Sequence, residues 1–416
     1  MTAKSKSSRP GFIAASNCIL LLFLGLVYAW SVFKKPLADA FAWNDQELTM
    51  CFTICMSFFC FGSLLAAKIT KKVRHRTVVL AAGTAILVAF CFASRMDALW
   101  QLYLTYGAVV GFSVGAVYNC VLSTGNAWFK GKNGLMTGLF LMCFGAGSLL
   151  FGPLITVLMD VAGWSWTFVI LGVLFFIVFA LTSAQVCMPE GDPAAMAEAS
   201  GDGAKREIRN AGFKPGEMLS HPTFWFYLLW STILSAVGLA LVGQAATIAG
   251  TFGFGSMAAS LTVSMVSASN GIGRLVFGTI YDRKGRKTTM GVIAGSSILG
   301  TLMLVAAVMS GSSVLLIAAF AFMSLGYGGI TPTNSNFIRD FYGQEHYPVN
   351  FSIVNFNLLV SSFLGQYIGS SLYLKTGSYL VSAAVMLIIC VAGFGINFIL
   401  RRPVRKAAEA VAGCGI

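Results

Sequence analysis

The feature that most constrains this chain is a series of apolar runs of about 20 residues, separated by short polar stretches. A helix of about 20 residues rises about 30 Å, which matches the hydrocarbon core of a bilayer. Charged residues make up only 10% of the chain, against about 25% in a soluble domain. The sequence therefore predicts an all-α integral membrane protein with twelve spans, near residues 12–33, 47–67, 77–94, 98–126, 134–158, 165–187, 222–250, 256–281, 288–309, 313–337, 350–372 and 378–400.

The distribution of Lys and Arg predicts the orientation. An even number of spans places both termini on one face, and 23 of the 28 Lys and Arg residues fall on that face, against four on the other. An excess of cations marks the cytoplasmic side. We therefore expect a multi-pass protein of the cell (inner) membrane with both termini cytoplasmic. The same distribution accounts for the net charge of +13 without a nucleic-acid partner.

The longest polar stretch divides the spans into six and six. The predicted organisation is an N-terminal half at 1–188, a cytoplasmic linker at 189–221, a C-terminal half at 222–402 and a cytoplasmic tail at 403–416. The halves echo each other, because Tyr118 stands ten residues before Trp128 and Tyr327 stands ten before Phe337. Duplicated six-helix halves typically hold a ligand near the midplane, at the seam between them.

The sequence shows no catalytic or metal-binding motif. The ten cysteines form no C-x-x-C pair, the three histidines fall in loops, and no nucleophile elbow or phosphate-binding glycine loop occurs. We therefore expect no enzymatic activity, no catalytic residue, no cofactor and no metal site.

One cation, Arg274, stands inside an apolar span. All fifteen acidic residues fall in loops or terminal segments, so the sequence offers no ionic partner within the membrane. Insertion scales put a central arginine at about 2.5–3.5 kcal/mol, which suggests that a ligand supplies the negative charge. A guanidinium presents two parallel donors to a carboxylate. An arginine that is bonded to backbone carbonyls, or that reaches the membrane boundary, is the alternative.

Further polar positions complete a candidate substrate site. Asn270 lies one helical turn before Arg274, and Tyr118, Asn119 and Tyr327 are the positions expected to face the seam. Three further candidates are Tyr28, Trp30 and Asn355, although each aromatic could equally serve core packing. Because the other eleven spans hold no Lys or Arg in their interiors, a monocarboxylate such as formate, lactate or pyruvate is favoured over oxalate.

The stretch "GTIYDRKGRK", from Gly278 to Lys287, is similar to the signature loop of the major facilitator superfamily. The corresponding stretch "GSLLAAKITKKVRHR", from Gly62, differs, with Ala67 in place of the acidic residue and Thr70 in place of the second glycine. The resemblance implies the major facilitator fold of two pseudo-symmetric six-helix bundles. It also implies a conformational role for the loop residues Gly278, Asp282, Arg283, Gly285 and Arg286.

Four other stretches, "YAWSVFKKPL", "NAWFKGKNGLMTG", "NGIGRLVFG" and "NFNLLVSSFLG", resemble the oxalate/formate antiporter family and its monocarboxylate-transporter relatives. This resemblance implies a secondary carrier of small carboxylates that works as a monomer in the lipid bilayer. Exchange is favoured, because an empty carrier would have to move an unpaired Arg274 through an occluded state. Proton-coupled symport and oxalate/formate exchange stay open as alternatives. A transporter-like membrane sensor is the alternative from another class.

Overall fold

The computed structural model describes residues 10–129, 133–189 and 212–402, and these residues form helices and short connections without a strand. In a bilayer every backbone N–H and C=O must be satisfied within the protein, and a helix achieves this within one segment. Ten helical segments of the described part are long and apolar enough to cross a membrane.

Two of these segments are far longer than a bilayer is thick. Asn133–Thr182 has 50 residues and Ser256–Ser310 has 55. A straight helix of about 50 residues would extend about 75 Å, more than twice the hydrocarbon thickness. Each segment is broken by a glycine with a positive φ, Gly163 (φ 74°, ψ 170°) and Gly285 (φ 72°, ψ −178°). Each therefore contains two membrane helices, so the described residues hold the twelve expected spans.

We number the membrane helices in chain order. The bounds are α1 Pro10–Leu24, continuing through the 3-10 turn Gly25–Ala29 into Trp30–Phe41; α2 Asp45–Ile69; α3 His75–Ala93; α4 Leu99–Leu102, Tyr103–Val110 and Gly111–Trp128; α5 133–162; and α6 164–182. In the second set they are α7 Pro222–Thr251; α8 256–284; α9 286–310; α10 Ser313–Tyr342; α11 Tyr347–Val354, Asn357–Gln366, Tyr367–Ser371 and Leu372–Thr376; and α12 Tyr379–Ile399.

The observed ends agree with the predicted spans to within a few residues, except that α1 continues to Phe41. A short helix, Pro215–Ser220, lies in the predicted linker. Residues 190–211 and 403–416 lie outside the described residues, so the division into halves, linker and tail stays a prediction. Below, the terminal face is the membrane face at which α1 begins and α12 ends.

The two sets of six helices meet through two antiparallel pairs. Ser148 of α5 bonds to Ser267 of α8, and the first turn of α5 bonds to the end of α8. Likewise Ser63 of α2 bonds to Ser352 of α11. Because α2 and α8 are the second helices of their sets, and α5 and α11 the fifth, the two pairs are equivalent under a two-fold pseudo-symmetry.

The break at Gly285 yields a stability prediction. Its φ and ψ fall in a region that is nearly exclusive to glycine, so Gly285→Ala is expected to destabilise the protein by about 1–3 kcal/mol. The control, Gly395→Ala, lies in the regular helix α12 with no atom within 4 Å of the new Cβ, and should gain up to about 1 kcal/mol. Thermal unfolding in detergent measures both, and equal midpoints for the two variants would contradict the prediction.

Candidate functional site

The buried arginine anticipated from the sequence lies at the α5–α8 crossing. Arg274 is 1% exposed, and its Nε donates to Asn270 Oδ1 at 2.8 Å. Its Nη1 donates to the carbonyl oxygen of Leu141, on α5, at 2.8 Å. Its Cζ lies 5.3 Å from the ring centroid of Phe144 and 5.7 Å from that of Tyr28. The electron-rich ring faces offset part of the cost of holding a cation away from water.

The guanidinium still has hydrogen-bonding capacity. It carries five N–H donors, and two of them are used among the described residues. Within the same residues no carboxylate forms an ion pair with it. Of the alternative interpretation, in which backbone carbonyls hold the arginine, the described residues show one such bond, to Leu141. The edge formed by Nη1 and Nη2 has the geometry that binds a carboxylate through two parallel hydrogen bonds.

A cavity of about 30 Å³ adjoins this guanidinium and holds roughly one or two water-sized groups. It is bounded by both helix sets. Its lining combines polar residues, among them Arg274 and Asn270, with three valines. The lining residues are Tyr28, Gly145, Ser148, Val242, Val263, Val266, Ser267, Asn270, Arg274 and Tyr327.

Small residues on α5 bring the two helices together at the arginine. A Cβ at Gly138 would lie 2.8 Å from the carbonyl oxygen of Arg274, which is closer than real Cβ contacts, so only glycine fits there. A Cβ at Gly145 would lie 3.4 Å from Arg274 Nε. From the other side, the 3-10 turn Gly25–Ala29 of α1 presents Tyr28 to the same cavity. The local sequence of three helices therefore sets the shape of the site.

Four residues predicted for the substrate site share this cavity: Arg274, Asn270, Tyr28 and Tyr327. Asn270 uses its Oδ1 to hold Arg274, and among the described residues its amide nitrogen makes no hydrogen bond. Tyr118 lies one ring away, because it packs on Phe144 at a centroid distance of 5.2 Å and does not line the cavity.

The other three predicted residues lie elsewhere. The Nε1 of Trp30 donates to the carbonyl of Leu48 at 2.8 Å, within the packing of the first helix set. Asn119 Nδ2 bonds to Ser352 Oγ at 2.8 Å across the two sets. Asn355 is buried at the interruption of α11, and both polar atoms of its side chain lack a partner among the described residues. Their proposed contact with substrate stays a prediction.

Neutral hydrogen bonds close the two sets on the side of the terminal face. We call this group the terminal-face seam. It consists of Ser63, Asn119 and Asn126 on the first set and Tyr347, Pro348 and Ser352 on the second. Among the described residues, hydrogen bonds between the sets extend from the level of Ser148 and Ser267 to this face.

The predicted conformational loop extends the seam. Asp282 Oδ2 accepts from the backbone N–H of Leu135, in the first turn of α5, at 3.0 Å, where a carboxylate also complements the helix dipole. Arg286 Nη1 donates to Asn397 Oδ1 at 3.2 Å, which ties α9 to α12. Gly285 supplies the break between α8 and α9, Gly278 is buried within α8, and Arg283 is exposed. Their role in transport stays a prediction.

Sequence reasoning missed the contribution of α5. Leu141 and Phe144 hold the guanidinium, and Ser148 bonds to Ser267 at 3.1 Å. Ser267 could have been found, because it lies seven residues before Arg274 and so on the same face of α8. Nothing in the sequence marks Leu141 or Phe144, since an apolar residue in an apolar span carries no signal of its neighbours.

The fold and the enclosed site define a multi-pass membrane transporter built from two sets of six helices. Residues 15–366 match the Major Facilitator Superfamily, and the chain belongs to this family. It is 25% identical to the oxalate:formate antiporter of Oxalobacter formigenes over 405 residues, 96% of this chain and 94% of that one. It is 21% identical to monocarboxylate transporter 13 of Rattus norvegicus over 376 residues, 90% of this chain and 85% of that one.

A solved structure supports the fold. The proton:xylose symporter XylE, bound to 6-bromo-6-deoxy-D-glucose, matches with a TM-score of 0.70 and 11% identity, covering 93% of this chain and 95% of that one. Family membership confirms the predicted fold class and the prediction that this protein is not an enzyme.

The terminal-face seam gives a testable consequence. Asn119→Ala removes the amide that bonds to Ser352 and to the Pro348 carbonyl. Losing this hydrogen bonding should destabilise the closed seam by about 1 kcal/mol, which raises the population of the conformation open at that face about fivefold. Hydrogen exchange of the segment 347–356 measures this opening. The control, Thr124→Val, removes a buried hydroxyl that bonds only to carbonyls of its own helix. Exchange that is equal in both variants would contradict the assignment.

Proposed function

We propose that this protein is a secondary active carrier of small monocarboxylates, of the formate, lactate or pyruvate type, in which Arg274 binds the carboxylate. The observation that carries the proposal is a guanidinium that is 1% exposed, has no carboxylate partner among the described residues and keeps three of its five N–H donors available beside a cavity. A buried ionisable group without a partner is costly in a membrane and typically marks a substrate pathway.

The surroundings of Arg274 suit such a ligand. The carboxylate would take the Nη edge, and the free amide N–H groups of Asn270 would donate to it. Tyr28 and Tyr327 line the same cavity. The short carbon chain would then contact Val242, Val263 and Val266, which also line the cavity. Polar and apolar lining residues match the two ends of a small monocarboxylate, and the cavity of about 30 Å³ would have to widen to admit lactate or pyruvate.

The charge balance favours a single negative charge. Arg274 is the one Lys or Arg that is buried among the described residues, so a dianion would keep one charge uncompensated. Oxalate/formate exchange is the second candidate, because the oxalate:formate antiporter of Oxalobacter formigenes matches nearly the whole chain. Oxalate binding would require a second cation from a residue that is at least partly exposed in this conformation.

The transport cycle follows from the seam. We propose that substrate neutralises Arg274 and that the two helix sets then rock, opening the terminal-face seam while the opposite side closes. Each neutral hydrogen bond contributes about 0.5–1.5 kcal/mol, so the seam can open without a large barrier. The cation distribution supports a cell membrane with this face cytoplasmic, and a monomer is sufficient for the cycle. Exchange is favoured over proton symport, since the empty carrier would move an uncompensated cation.

Arg274→Lys tests the site. Lysine keeps the charge but loses the planar pair of donors, so uptake should fall about ten- to hundredfold, which corresponds to the loss of about 1.5–3 kcal/mol from a charged hydrogen bond. Uptake of labelled formate, lactate, pyruvate and oxalate into proteoliposomes measures the effect. Arg76→Lys, an exposed position, is the matched control and should transport like wild type. Unchanged uptake in Arg274→Lys would refute the assigned role.

Vesicle loading tests the mode of transport. Uptake should be slow into empty vesicles and at least about tenfold faster into vesicles loaded with the same unlabelled carboxylate, because substrate has to accompany Arg274 in both directions. Rapid uptake into empty vesicles under an inward proton gradient would instead establish a symporter and reject exchange.

A further inference from the structure

We propose that a groove on the outer surface of α8, α9 and α10 binds one anionic phospholipid, with an acyl chain in the groove and the headgroup on Arg283 and Lys284. This inference is independent of the proposed substrate.

The groove is elongated and apolar, with a volume of about 340 Å³. Along α9 its lining extends over seven residues, which is about 10 Å of helix rise along the membrane normal. Its one hydroxyl is already engaged, since Ser296 Oγ donates to the carbonyl of Phe322 at 2.8 Å. The lining residues are Val276, Phe277, Ile280, Val292, Gly295, Ser296, Leu299, Phe322 and Leu325.

The groove opens away from the helix bundle. Val276 is 39% exposed, Val292 is 46% exposed and Leu299 is 42% exposed, although all three are apolar. On a membrane helix such positions face lipid chains. The occupant that fits this surface is therefore an acyl chain, because a polar solute would find no free partner in the groove.

Two cations stand at the end of the groove nearest the terminal face. Val276, Ile280 and Lys284 follow one another at intervals of four residues on α8, and Arg283 lies seven residues after Val276, so both cations share the groove-side face of the helix. Both are exposed, and among the described residues neither forms a hydrogen bond or an ion pair. The helix ends at Gly285, which places them at the membrane boundary.

The neighbouring cation, Arg286, already has hydrogen-bond partners, which distinguishes it from Arg283 and Lys284. Arg286 is held by the Asn397 side chain and by the carbonyl of Leu400, so it serves the packing of α9 on α12. The charges of Arg283 and Lys284 are available to a phosphate group. Basic residues next to a membrane attract anionic lipid by about 1 kcal/mol each, and an apolar groove below them adds a site for one chain.

Lipid titration of the purified, delipidated full-length protein tests the proposal. Native mass spectrometry would compare phosphatidylglycerol with phosphatidylcholine of the same acyl chains. We expect one phosphatidylglycerol to bind at least about tenfold more tightly, since two cations contribute. Gly295→Leu should abolish the tight binding of phosphatidylglycerol by filling the groove that holds its acyl chain, because a Cβ at Gly295 would meet no atom within 4 Å. Lys284→Gln should weaken phosphatidylglycerol about fivefold, with phosphatidylcholine unchanged.

Matched variants keep the test specific. Gly395→Leu adds the same side chain at an exposed glycine of α12 that also has open space, and Lys71→Gln removes an exposed cation from the other helix set. Both should bind phosphatidylglycerol like wild type. The proposal is overturned if Gly295→Leu keeps the bound lipid, if Gly395→Leu loses it equally, or if the two lipids bind wild type with equal affinity. Because a Cβ at either glycine meets no atom within 4 Å, the unfolding temperature without lipid should not fall below that of wild type in either variant.

Discussion

The rest of this structure depends on how a bilayer-embedded chain accommodates one buried guanidinium without a carboxylate. Arg274 is held by an amide oxygen, a backbone carbonyl and two aromatic faces, which together lower its cost but do not neutralise its charge. Each of these partners comes from α1, α5 or α8, so the cation joins the two helix sets. A ligand that brings one negative charge therefore acts on the contact between the sets as well as on its own site.

The contacts that close the terminal face are suited to a reversible interface. They are mostly neutral, because Ser63, Asn119 and Ser352 exchange hydroxyl and amide bonds across α2, α4 and α11. A buried ion pair at this seam would impose a large desolvation cost whenever it separated. Neutral bonds can be replaced by water when the seam opens, at a small net change in free energy.

The pseudo-symmetric pairs differ in one respect. In the α5–α8 pair, the carboxylate of Asp282 on α8 accepts a hydrogen bond from the first turn of α5. At the equivalent point of the first set the sequence has Ala67 and Thr70 in place of the carboxylate and the second glycine, and the α2–α11 pair is joined by Ser63 and Ser352. The carboxylate contact between the helix sets is therefore present in one pair and replaced by neutral hydroxyl groups in the other. The groove on α8, α9 and α10 lies beside that same end.

The sequence by itself determined the membrane helices, because each apolar run is long enough for a helix to cross a bilayer with its own backbone satisfied, and it singled out Arg274 for the candidate site, because a lone cation in an apolar span stands out. Asn270 and Tyr327 followed from helical spacing and duplication. Only the tertiary structure decided that Asn119 and Trp30 bond elsewhere, and that Leu141 and Phe144 hold the guanidinium. The reason is physical: helix periodicity fixes which residues share a face, whereas the packing of small residues such as Gly138 decides which faces meet.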